Sequence, residues 1–188
     1  MVKHIAVFLR GVNVNNTRMK MEELRAAFNH MGYINTKTLL GSGNAVVTTE
    51  DDDLSIRDHK EKIEMGLSLY FGYEAYVIVK DIHQLLAIVE EAEGHKIPEG
   101  YHHYLMLSND STLGAELKAI HAQCKIASDE TLLLEPSGIY WIVPKGQTLD
   151  SEFGEKVLGK KEFKSRLTSR TMNTVLKVKK ALQERCAL

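Results

Sequence analysis

The most constraining stretch of this chain is its opening, residues 2–9, VKHIAVFL. Successive side chains of a strand point to opposite faces, and here apolar groups fall on both. That pattern reads as a central strand, flanked by partners and covered on at least one face. Everything that follows has to supply those neighbours and that cover.

A polar loop, RGVNVNNTR, comes next. Met21, Leu24, Phe28 and Met31 then recur at helical spacing, and Gly32 is a natural stop. Thr38 to Leu40 and Ala45 to Thr49 read as two short strands around a GSGN turn. The acidic run Asp51–Asp53 reads as a solvated loop. A helix carrying Ile56, Ile63, Leu67 and Tyr70 follows and ends near Gly72, and YEAYVIV (73–79) is the next strand. The order β-α-β-β-α-β is the ferredoxin-like split pattern, an antiparallel sheet with helices on one face.

The second half opens with Asp81 as a helix cap and a helix carrying Ile82, Leu85, Leu86 and Val89. YHHYLML (101–107) reads as a strand, Leu113, Leu117 and Ile120 as a helix stripe, and 131–134 and 139–143 as a hairpin around PSG. The remainder reads as helical: a piece at 153–158, another at 162–167, and a longer one from about Thr171 to Glu184. The expected fold is therefore α+β, with two tandem ferredoxin-like (alpha-beta plait) units. The first spans 1–80. The second, 81–188, is a variant with extra C-terminal helices. No residue-level repeat links the halves, so the tandem reading rests on element order.

At 188 residues, with 44% hydrophobic and 26% charged residues, the chain is long enough for a core without metals or disulfides. Two cysteines, Cys124 and Cys186, form neither a CxxC pair nor a disulfide framework, which suits free thiols in a reducing compartment. No stretch reaches the 18 or more apolar residues of a membrane span, and the N-terminus is interrupted too soon by Arg10 for a signal peptide. The expected location is cytoplasmic, with no membrane partner. The oligomeric state stays open.

Three segments carry polar chemistry. The first is the loop after the opening strand, with Arg10, Asn13 and Asn15, and Lys20 at the next helix start. A guanidinium beside free backbone N–H groups at a helix N-terminus can hold a phosphate or carboxylate. Equally, Arg10 can pair with a buried acid while the asparagines cap turns. The loop is neither a Walker loop nor a GxGxxG fingerprint. The second is Ser42-Gly43-Asn44, where a strand follows the turn, unlike a nucleophile elbow that leads into a helix. Ser42 and Asn44 are candidate hydrogen-bond donors to a ligand near the first loop. The third is the basic stretch Lys156–Lys180, with nine basic residues against one acid, Glu162. Within it Arg170, Asn173 and Thr174 are the most ligand-like. Such a stretch can steer an anionic partner even though the whole chain carries a net charge of −1, or it can be a solvated face.

The remaining chemistry is sparse. His102 and His103 are adjacent on a strand and point apart, His95 lies in a loop, and no HExxH is present. No metal and no other cofactor is expected. Tyr101 and Tyr104 fall on opposite strand faces, as do Tyr140 and Trp141, which weakens a base-stacking platform. Nucleic acid is thus disfavoured as a partner without being excluded.

FLRGVNVNNTRMKMEELR (8–25), GSGNAVV (41–47) and TSRTMNTVLKV (168–178) together resemble family 1697 of the domains of unknown function, a set of small bacterial proteins. The resemblance runs over nearly the whole chain. It implies two ferredoxin-like units and no established activity. The chain departs from the family pattern at Asn15 and Asn16, where glycines are usual, and at Gly41, Thr171 and Met172. The leading functional expectation is a binding protein for a small anionic or nucleotide-like ligand. The alternatives are an enzyme acting on a phosphorylated or carboxylated small molecule, and a protein or nucleic-acid interaction module using the basic C-terminal face.

Overall fold

The computed structural model describes residues 3–10, 19–39, 43–51, 53–126 and 129–186. The chain divides into two compact units, residues 1–86 with 176–188, and residues 87–175.

In the first unit, β1 (Lys3–Arg10), β2 (Ile34–Leu39), β3 (Asn44–Thr49) and β4 (Tyr76–Asp81) form one antiparallel sheet in the order β2-β3-β1-β4. The helices α1 (Met21–His30) and α2 (Ile56–Phe71) complete the β-α-β-β-α-β order of a ferredoxin-like unit. β1 is central, as its two apolar faces require. Ile5, Val7 and Leu9 pack with Ala45, Val47, Val77 and Val79 against Leu24, Ala27 and Phe28 of α1 and Ile63 and Leu67 of α2. Ser55 caps α2, and Gly72 at φ 69° ends it in the left-handed conformation that glycine adopts without strain.

The opposite face is equally dry. Ala6, Phe8 and Val46 are fully buried and Ile78 nearly so. Its cover comes from the far end of the chain. Residues 176–186 belong to this unit and lie in α6 (Met172–Cys186), where Val178, Ala181 and Leu182 are buried. Two contacts fix which face they take. Lys37, which shares a face with Val46, pairs with Glu184 at 3.1 Å. His4, on the same face of β1 as Ala6, has its proton affinity lowered first by burial and then by Arg185.

The second unit repeats the plan. β5 (Tyr101–Leu107), β6 (Thr131–Leu134), β7 (Ile139–Pro144) and β8 (Thr168–Thr171) form an antiparallel sheet in the order β6-β7-β5-β8. One face carries Met106, Trp141 and Val143 against Leu113 and Leu117 of α4 (Leu113–Ala122) and Phe153 and Val157 of α5 (Glu152–Val157). α5 starts close beneath the chain before it: a Cβ on Gly154 would lie 2.1 Å from the Thr148 carbonyl oxygen. The other face carries Leu105 and Tyr140. Tyr140 donates its hydroxyl to the Ile88 carbonyl (2.9 Å) and the Glu91 carboxyl (2.8 Å), which seats the 87–93 part of α3 (Ile82–Glu93) on that side.

Three expectations are corrected here. The helix expected at 162–167 is a single 3₁₀ turn, Lys161–Phe163. The residues after it form strand β8, so the second unit holds a full four-stranded sheet and not the shorter β-α-β-β-α. β2 begins at Ile34 and not Thr38, because a register irregularity between Ile34 and Lys37, with Asn35 at φ 51°, hides its start. Asp81 closes β4 and still caps α3, accepting the Gln84 N–H at 2.8 Å.

If 176–186 is the cover of the first sheet's second face, Leu182→Ala should cost about 2–5 kcal/mol, as for other truncations of buried leucine. Chemical denaturation monitored by amide exchange in β1 and β3 measures it. A loss below about 0.5 kcal/mol, ordinary for an exposed site, would contradict this placement.

Candidate functional site

At one end of the first sheet, strand register brings two of the expected ligand-binding residues together. Phe8 lies directly opposite Asn44 on β3, and Arg10 directly opposite Tyr76 on β4. Residues facing one another in an antiparallel pair share a face, and residues two apart on one strand do as well. Arg10, Asn44 and Tyr76 are therefore all on the Phe8 face, at the edge where β1 ends and β3 and β4 begin. Asn44 is fully buried, and its amide donates to the Leu39 carbonyl at 3.3 Å. Arg10 is half-buried, and burial draws its pKa downward, the sign of a guanidinium held partly out of water. A side-chain hydrogen bond to Glu74 is the main cause that pushes the Tyr76 phenol up to about 12, so its one O–H is engaged there. Asn13, Asn15 and Ser42 lie outside the described residues.

Lys20 precedes α1 and is exposed. Its backbone N–H donates to the Glu23 carboxyl at 3.3 Å, and Glu22 and Glu23 occupy the first turn. The chain's own acids thus already answer the positive end of that helix.

Arg170 lies in β8, and Asn173 and Thr174 lie in the first turn of α6. Arg170 shares the face of Leu105, and its Nη1 donates to Thr168 Oγ1 (2.7 Å) and the Ser169 carbonyl (2.9 Å). Thr174 Oγ1 lies 3.1 Å from Thr171 Oγ1, and Asn173 is exposed. The basic stretch around them is not uniform. Lys156 pairs with Glu152, and Arg166 spans Asp110 and Glu116, both at 2.7 Å. The Thr112 hydroxyl and N–H, and after them Arg166, hold the Asp110 carboxyl down to about 2. Lys160, Lys161 and Lys164 are exposed.

Two buried polar networks in the second unit went unread in the sequence. Glu130 Oε1 accepts both the Trp141 indole N–H (2.9 Å) and the Ser151 hydroxyl (2.9 Å), with His121 Nε2 at 3.8 Å. The carboxyl sits between serine and histidine, so this is not the order of a nucleophilic triad, in which histidine bridges. The second network joins His95, which the sequence leaves in a loop, to His103: His95 Nδ1 lies 3.1 Å from His103 Nε2, and His95 Nε2 lies 3.0 Å from Glu135 Oε1. Strand alternation sends His103 inward, but nothing in the sequence reveals that the 94–100 connection folds back onto it. Tyr140 and Trp141 are fully buried on opposite faces, so neither ring is open to a base. Among the described residues, no group of three or more His, Cys, Asp or Glu could hold a metal ion, and no helix is long and apolar enough to cross a membrane.

The family model described as a protein of unknown function (DUF1697) matches residues 1–140, and the chain belongs to that family. Among solved structures, the conserved bacterial protein SP0830 from Streptococcus pneumoniae has a TM-score of 0.75 at 19% identity, covering 97% of this chain and 99% of that chain. At that identity the likeness concerns the fold alone. No curated protein matches the chain.

Glu130→Ala would orphan two buried donors at about 1–3 kcal/mol each, whereas Glu130→Gln keeps an acceptor oxygen. Denaturation followed by the fluorescence of Trp141, the single tryptophan, should rank wild type above the glutamine variant and the alanine variant last. Equal stability of the two variants would show that Trp141 and Ser151 do not depend on that oxygen.

Proposed function

We propose that this member of the family binds a small anionic ligand at the β1–β3–β4 edge of its first unit, with Arg10 as the charged anchor and Asn44 as a neighbouring donor. The observation that supports it is the position of Arg10: a half-buried guanidinium with its pKa drawn down by desolvation, on a sheet face that also carries Lys80 opposite Ala6. A partly desolvated guanidinium gains more from an anion than a solvated one, because the Coulomb attraction is less screened. The 11–18 segment that follows adds Asn13, Asn15, Asn16 and Arg18 to the same sequence neighbourhood. Planar fork geometry suits phosphate or carboxylate, so a nucleotide-like or phosphorylated small molecule is the favoured class. We place the protein in the cytoplasm, a reading supported by the free thiols of Cys124 and Cys186.

A second reading is favoured by Lys160, Lys161 and Lys164, three exposed cations around one 3₁₀ turn, which suit a weak contact with an acidic partner. The two readings separate by mutation. Calorimetric titration with inorganic pyrophosphate, adenosine monophosphate and citrate should find at least one ligand whose affinity falls about 10–100-fold in Arg10→Gln, the worth of a charge-assisted hydrogen bond. Affinity unchanged in Arg10→Gln but lost in the triple change of Lys160, Lys161 and Lys164 to Gln would move the site to the basic turn. Binding of none of the three would defeat the anion reading.

A further inference from the structure

The connection between α3 and β5, residues 94–100, is polar and mostly exposed: Gly94, Lys96, Pro98, Glu99 and Gly100 face water. His95 turns inward, with a side chain only 8% exposed, and Ile97 is half-buried. It is anchored from both ring nitrogens, by Glu135 at 3.0 Å and His103 at 3.1 Å, and its ring lies edge-on to Tyr140 with centroids 4.7 Å apart. The titratable groups on the pair are Glu135 from the turn before β7 and Tyr140 from β7, with Glu91 of α3 behind the Tyr140 hydroxyl. Glu91 is committed elsewhere, accepting the Ser137 N–H at 2.9 and 3.1 Å and the Tyr140 hydroxyl at 2.8 Å.

Proton counting limits what this chain can do. A hydrogen bond between two imidazoles needs one N–H and one lone pair. With His95 donating to Glu135, the contact survives when both rings are neutral, or when one of them alone is cationic. It cannot survive when both are cationic, because two N–H groups would then meet at 3.1 Å. We infer that the Glu135–His95–His103 chain is an acid-sensitive latch, which holds the 94–100 connection against the second sheet while His103 sits neutral in its buried seat and lets it go as acid favours an open state with His103 protonated in water.

The sign follows from His103. Burial, with His95 beside it, lowers its pKa from 6.5 to about 4 in the closed state. An open state that returns it to water binds a proton more readily, so closure is favoured above about pH 6.5 and weakens as pH falls toward about 4. With those two values the population of the open form should rise about 30-fold between pH 7.5 and pH 5.

Hydrogen exchange of the full-length protein, corrected for the intrinsic pH dependence of exchange, reads that opening directly. Amides of 94–103 should show the roughly 30-fold rise in wild type. His103→Gln, which cannot take up the proton, should show a change within about 3-fold, as should peptides from α2 in wild type. His102→Gln, on the other face of β5, should behave as wild type. Parallel rises in wild type and His103→Gln would overturn the latch, as would a wild-type response no larger than that of α2. Should the glutamine variant fail to fold, ¹⁵N ring shifts of the wild type decide: His103 staying neutral to below pH 5 supports the latch, and titration near 6.5 overturns it.

Discussion

The first unit is organised by the demand that β1 makes on its surroundings. Ile5, Val7 and Leu9 on one side and Ala6 and Phe8 on the other are all buried. A strand with two apolar faces needs two layers of cover, and fully burying each large side chain contributes about 1.5–3 kcal/mol. α1 and α2 supply one layer, while the other comes from residues 176–186, more than a hundred residues along the chain. The N-terminal strand and the C-terminal helix are thus tied energetically although neither is a sequence neighbour of the other. Arg10 acquires its character from the same demand. As the last residue of β1 it lies on the Phe8 face, and the packing that keeps Phe8 dry also draws water away from the guanidinium.

Periodicity made most of this visible. The apolar run of β1, the helical stripes of α1, α2 and α4, and the glycine stop at Gly72 are each local signals with one dominant reading. β8 is the instructive failure. Thr168-Ser169-Arg170-Thr171 has no apolar alternation, and it is a strand because β5 offers an open edge: Leu107 faces Thr168 and Leu105 faces Arg170. Pairing of that kind is set by a tertiary partner and leaves little trace in a four-residue window. The late apolar pattern, by contrast, overstated helix at 162–167, where Phe163 and Leu167 are buried but only one 3₁₀ turn forms.

The polar groups divide in the same way. Arg10 and Asn44 could be picked out by residue type, and β-sheet register then places them on one face. Arg170 was equally conspicuous, yet its Nη1 bonds to Thr168 and Ser169 within its own strand. Glu130 and His95 were not conspicuous. Each stands in a short polar connection and is drawn inward by a partner that only the folded sheet presents, Trp141 for one and His103 for the other. Buried polar networks of this sort are set by convergence of several elements, which no single stretch of sequence records.

Anion binding at the first sheet's edge depends on Arg10 as its anchor. A titration of inorganic pyrophosphate into ¹⁵N-labelled protein, observed at the Arg10 Nε–H and the Asn44 side-chain amide, tests it most directly. Saturable shifts of both resonances, with a common dissociation constant, are the expected result. Shifts confined to the backbone amides of 160–164, or none that saturate, would contradict it.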